Sequence, residues 1–214
     1  MVTLSFDNGP EPGVTPGVLD TLAKHGVKTS FFVMGRKVIT PKGRVLAERA
    51  AAEGHWVGNH TYSHSQPLGE MDRATALRDF QQAEESLAWL NQRPRLFRPY
   101  GRQGKLGKHL LHPAVVDKLA AGGYTTVLWN AVPHDWKDPE GWVATALRQI
   151  QEREWSLMVL HDQPSGAMKH LDEFLTALKD AGVQIVQDYP DDCIPMREGR
   201  IAGSMEQWTS ARID

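Results

Sequence analysis

The chain has 214 residues, enough for one sizeable hydrophobic core and too few for two comfortable domains. With 41 % hydrophobic and 23 % charged residues and a formal net charge of −2, it has an ordinary globular composition and no basic field for nucleic acid or an anionic membrane surface. The single cysteine, Cys193, excludes an internal disulfide, and no apolar run is long enough to span a bilayer.

The first strand is expected over 2–6, closed by Asn8-Gly9-Pro10. Thr15 then precedes Pro16, and Val18, Leu19 and Leu22 recur at helical spacing up to His25-Gly26, which reads as a helix with a capping Thr and a terminal Gly. A β-branched and aromatic strand follows over 29–33. An Ala-rich helix over 43–53 ends at Gly54, and a short strand begins at Trp56. The longest helical pattern runs over 75–91 and is ended by Pro94. The remaining elements are strands over 96–98, 125–129, 157–160 and 184–186, and helices over 113–121, 141–154 and 168–181. Strands and helices thus alternate about seven times, the pattern of a parallel α/β sheet or barrel. After Asp188 the pattern stops, and residues 189–214 read as an extension wrapping a domain that spans 1–188. No basic segment followed by an apolar stretch opens the chain, so a cytoplasmic location is expected.

The unusual polar residues cluster just after the strands: Asp7 and Asn8, then Asn59, His60 and His64, then Arg98 and Tyr100, then Asp135 and Trp136, then His161 and Asp162. In a parallel α/β fold the C-terminal strand ends gather at one rim, where ligands bind. Singly, each residue is better explained by a capped turn or a satisfied surface histidine. Together, five segments aimed at one rim point to a site. His60 and His64, in "HTYSH", are four apart and would share one face of a helical turn, a spacing suited to a catalytic Zn²⁺ or Fe²⁺-type centre with an oxygen ligand. The "GRQGKLGK" run at 101–108 lacks the ending of a phosphate loop and reads as a mobile basic loop beside the site.

In order, "SFDNGP", "GNHTYSH", "FRPYG", "HDW" and "VLHD" resemble the five motifs of the polysaccharide deacetylases, the NodB-homology domain of carbohydrate esterase family 4, with the likeness running from Val2 to about Val186. The resemblance implies a distorted (β/α) barrel of about seven strands. It implies a metal-dependent hydrolase that removes N-acetyl groups from a sugar, with Asp7 as general base, Arg98 holding it and His161 as general acid. It further implies that Asp135 orients His161, that the Tyr100 backbone N–H binds the oxyanion, that Trp136 and Val159 meet the substrate, and that His60 and His64 bind a divalent metal, Zn²⁺ first among candidates. The family's second metal-binding Asp is here Asn8, which replaces a charged ligand by a neutral amide oxygen and implies weaker metal binding.

Asn8 leaves several readings open: a site that works with an Asn ligand, a homologue that binds carbohydrate without turnover, a deliberate Asp-to-Asn change, or partial deamidation of the Asn-Gly pair to the family's Asp. A small non-sugar amide, as in an allantoinase-like branch, is the rival substrate. An open groove with exposed aromatics such as Trp136 favours sugar.

Overall fold

A computed structural model describes residues 1–211; the last three residues of the extension expected over 189–214 lie outside the described residues. Strand β1 (Val2–Asp7) is buried along its whole length, as expected for a parallel strand covered on both faces. Its side chains alternate: Val2, Leu4 and Phe6 pack under the helices, while Ser5 and Asp7 turn inward to Arg98. The other parallel strands are β2 (Ser30–Val33), β3 (Trp56–Asn59), β4 (Arg95–Phe97), β5 (Tyr124–Thr126) and β6 (Ser156–His161). Two short antiparallel strands, β7 (Met196–Arg197) and β8 (Arg200–Ile201), extend the sheet beyond β5. The spatial order is β6-β1-β2-β3-β4-β5-β7-β8.

The sheet curls on itself, as the expected distorted barrel does. Residues 127–131 leave β5 and cross to β6, where the Ala131 N–H donates to the Leu157 carbonyl at 3.1 Å and the Val159 N–H to the Ala131 carbonyl at 3.0 Å. That crossing is why the strand expected over 125–129 is shorter than its β-branched pattern promised. The strand expected over 184–186 contracts to one bridge, Val2↔Ile185. β1 has a free edge there only before β2 takes it over at the Ser5↔Ser30 pair.

The helices are α1 (Thr15–His25), α2 (Gly35–Val38), α3 (Pro41–Ala52), α4 (Arg73–Ser86), α5 (Pro113–Ala121), α6 (Trp142–Gln151) and α7 (Leu171–Asp180). Thr15 does not cap α1. Its hydroxyl accepts from the Glu11 N–H and donates to the Asp162 carboxylate instead, and Val14 takes the cap position. Helix α4 starts on the Asp72 carboxylate, which accepts from the Thr75 N–H at 2.9 Å. It stops at Ser86, short of the expected 91, because the next residues turn back. Gln92 must reach β3, where it accepts from the Val57 N–H at 2.8 Å. The segment after Asp188 holds the β7–β8 hairpin, which the sequence pattern did not reveal, and inserts Tyr189, Cys193 and Ile194 beside Phe32, Leu96, Val127 and Leu157. Among the described residues no helix is long and apolar enough to cross a membrane.

Candidate active site

Strands β1 and β6 run in register, with Asp7 opposite His161 at their C-terminal ends. The register therefore sets a carboxylate and an imidazole side by side, and the loops that follow complete the surroundings. Asp7, Asn8, His60, His64, Tyr100, Trp136, Val159 and His161 all line one cleft. Arg98 and Asp135 stand behind it, both fully buried.

Arg98 fixes Asp7. Its Nη1 donates to Asp7 Oδ1 at 2.9 Å and to Ser5 Oγ at 2.7 Å, while Nε and Nη2 donate to the Val127 and Leu128 carbonyls. The guanidinium lies 4.0 Å from the Phe32 ring centroid. Every face of this buried cation is thus occupied, and one carboxylate oxygen of Asp7 is immobilised.

Asp135 fixes His161. The His161 backbone N–H donates to Asp135 Oδ2 at 3.0 Å, and Nδ1 meets Oδ1 at 2.8 Å, which leaves Nε2 for the cleft. Burial alone would lower the His161 pKa, but the hydrogen bond and the charge of Asp135, with Asp7 and Asp162 adding to it, outweigh burial and raise it. Trp136 stands edge-on to the ring at 4.5 Å.

"HTYSH" is not a helical turn. Thr61 and His64 both have positive φ, 64° and 52°, and this irregular path converges the imidazoles to 4.8 Å between ring centroids. Two carboxamide and carboxylate groups hold the path. Asn59 Oδ1 accepts from the Thr61 N–H at 2.8 Å, and Asp79 on α4 accepts from the Tyr62 and Ser63 N–H groups at 2.8 and 3.1 Å. His60 Nδ1 meets the Arg98 carbonyl at 2.8 Å, which fixes the tautomer and turns Nε2 inward. Burial keeps both imidazoles neutral, with the neighbouring His60 depressing His64 further. The His64 ring also lies against Tyr100, tilted by 39° with 3.8 Å between ring centroids.

Asn8 has φ 74°, and its Oδ1 is buried with no hydrogen-bond partner among the described residues. Among those residues no three His, Cys, Asp or Glu side chains gather into a metal cluster. The Asn8 amide lines the same cleft as His60 and His64. Two neutral imidazoles and an orphaned amide oxygen on one cleft are a donor set that fits a divalent cation, at the cost of the carboxylate charge.

The loop 101–108 does sit beside the cleft, contributing Gly101, Gln103 and Gly104. It is tied down at its centre, where Trp129 Nε1 donates to the Gly104 carbonyl at 2.9 Å, and at its edge, where Arg102 meets Glu70 at 2.6 Å. A side chain at Gly101 would collide with the Trp129 ring. Sequence reading passed over Ser5, Asp79, Gln103 and Gln163. Ser5 was reachable, since it lies two positions before Asp7 on the same strand face. Asp79, in the middle of a helix, carried no local signal.

The model of the polysaccharide deacetylase family matches residues 1–114. A peptidoglycan-N-acetylglucosamine deacetylase, PgdA of Listeria monocytogenes, is 31 % identical over 186 residues, which are 86 % of this chain and 37 % of PgdA. The chain thus spans little more than a third of that relative. A chitooligosaccharide deacetylase of Bradyrhizobium is 34 % identical over 166 residues, 75 % of this chain and 70 % of the relative. Among solved structures, a CE4 family pseudoenzyme from Bacillus anthracis superposes with a TM-score of 0.71 at 25 % identity, covering 86 % of this chain and 62 % of the other.

Proposed function

The chain belongs to the polysaccharide deacetylase family, and on that premise we propose that it hydrolyses the N-acetyl group of an N-acetylated sugar, the chemistry for which its relatives are named. The observation that carries this reading is the pairing of two separately buttressed groups across one cleft: Asp7 on Arg98, and His161 on Asp135.

Asn8, His60 and His64 would hold a divalent ion, Zn²⁺ by ligand type, which when bound polarises the acetyl carbonyl and acidifies water at the site. Asp7 Oδ2, not engaged by Arg98 and 3.6 Å from His60 Nε2, would take the proton of the attacking water. Among the described residues no acceptor meets the Tyr100 backbone N–H, so it is available to the oxygen on which charge develops. His161, whose pKa Asp135 raises against the effect of burial, would give its Nε2 proton to the departing nitrogen. Trp136 and Tyr100, both partly exposed, offer flat walls to a sugar ring, and this favours carbohydrate over a small amide. The test is mass spectrometry of chitooligosaccharides incubated with zinc-supplied protein: loss of acetyl groups with matching amine formation is expected, and unchanged oligosaccharide at high enzyme loading would refute the activity.

A further inference from the structure

We propose that Gln163 sets the orientation of the Asn8 amide, turning its oxygen toward His60 and His64 and so allowing a neutral asparagine to serve as a cation ligand. The inference rests on the reading that these three residues hold a divalent ion. Asp7 and His161 are register partners, so the residues just beyond them meet across the same edge. Asn8 Nδ2 donates to Gln163 Oε1 at 3.3 Å, while Asn8 Oδ1 is buried without a partner among the described residues. The backbone beneath is fixed by close packing. A side chain at Gly9 would collide with the Asp162 carboxylate, and the Gly9 carbonyl accepts from the Met34 N–H at 2.9 Å.

An aspartate needs no such partner. Its two oxygens are equivalent, and either can face the ion. An amide has one correct face and one wrong one. Turned over, Asn8 would point two N–H donors at neutral imidazoles, an attractive arrangement in the metal-free site and a repulsive one toward a cation. The choice falls to whatever faces the outer side of the amide. Gln163 Oε1 is an acceptor placed there, and it selects the orientation with nitrogen outward and oxygen inward. His161, Asp162 and Gln163 therefore act as three consecutive supports, the first facing Asp7, the second packed under Gly9 and the third bonded to Asn8.

The test is calorimetric zinc titration of the whole chain, with thermal melts to check folding. Gln163→Met removes the acceptor at similar length, whereas Gln163→Glu presents acceptors only. Gln163→Met should weaken zinc binding about three- to tenfold, the size of one net hydrogen bond, while Gln163→Glu binds at least as tightly as the parent. In the Asn8→Asp background the loss caused by Gln163→Met should vanish, because a carboxylate has no wrong face. An equal loss in both backgrounds would mean that Gln163 merely stiffens the loop, and no loss in the Asn8 background would mean that it does nothing; either overturns the inference. Zinc binding that is absent from the parent, or that survives His60→Ala and His64→Ala, would overturn the metal-site reading and the inference with it.

Discussion

Both carboxylate oxygens of Asp135 are spent on one residue, His161: Oδ2 on its backbone N–H and Oδ1 on its ring Nδ1. The loop that carries Asp135 is shaped for this, with His134 at φ 58° just before it. A fully buried carboxylate thus supplies position, tautomer and charge together.

Replacing that charge should change the pH profile as well as the rate. Asp135→Asn keeps the shape and loses the charge that holds the His161 pKa up, so the imidazole should lose its proton at lower pH. A general acid must be protonated to act, so the fall in activity on the basic side should move to lower pH. The maximal rate should also drop, by up to the ~10²- to 10⁴-fold that acid–base groups contribute. The pH dependence of kcat for both proteins checks this. An unshifted basic limb would remove Asp135 from its role.

Asp7 pairs with the buried Arg98 and is the base of the proposed reaction, and two substitutions separate these roles. Asp7→Ala leaves the fully buried Arg98 without its carboxylate and should cost about 3–5 kcal/mol of stability. Asp7→Asn keeps an acceptor for Arg98 and should fold better, yet be as inactive as the alanine variant, since an amide takes no proton. Denaturant unfolding and acetate release on the pair measure the two effects.

Asp79 shows how a distant helix shapes the histidine pair. Asp79→Ala frees the Tyr62 and Ser63 N–H groups and removes the support for the left-handed Thr61 and His64. Zinc affinity should fall by about tenfold or more, since each bond to a charged acceptor is worth about 1.5–3 kcal/mol, with no ligand touched. Isothermal titration reads it; unchanged affinity would show that the loop holds its own shape.

Asp162 makes a signed prediction about stability. Burial raises its pKa to about 7, above the ~3.9 of an unfolded aspartate. The folded state therefore holds the proton more tightly, and its advantage is complete below about pH 4. It is lost as pH rises toward about 7 and stays lost above it, by as much as about 4 kcal/mol. In metal-free protein, Asp162→Asn should flatten this slope and leave the variant more stable than the parent at alkaline pH. Unfolding free energies from pH 4 to 8 decide; parallel curves would mean that Asp162 does not titrate in this window.

Much of this was legible from strand-end chemistry. Asp7, His60, Arg98, Asp135 and His161 each follow or end an apolar or β-branched run, and the fold does no more than bring those ends together. What escaped was whatever depended on non-repetitive backbone. The convergence of His60 and His64 rests on two left-handed residues and on Asp79 from another element, so helical spacing anticipated the proximity of the two rings by the wrong geometry. Thr15 looked like a cap because its local sequence suits one, but the buried Asp162, 147 residues away, claimed its hydroxyl. The β7–β8 hairpin has strands of two residues, too short for any alternation to show.

The central claim is that a site with Asn8 in place of a carboxylate works as a deacetylase. Initial rates of acetate release from one chitooligosaccharide, at saturating zinc, for the parent, Asn8→Asp and His161→Gln test it most directly. The account predicts measurable release by the parent, an equal or higher rate for Asn8→Asp because the ionised ligand strengthens cation binding, and background for His161→Gln. A parent at background beside an active Asn8→Asp would contradict it, and would make this chain a binding homologue whose cleft keeps the catalytic geometry without the turnover.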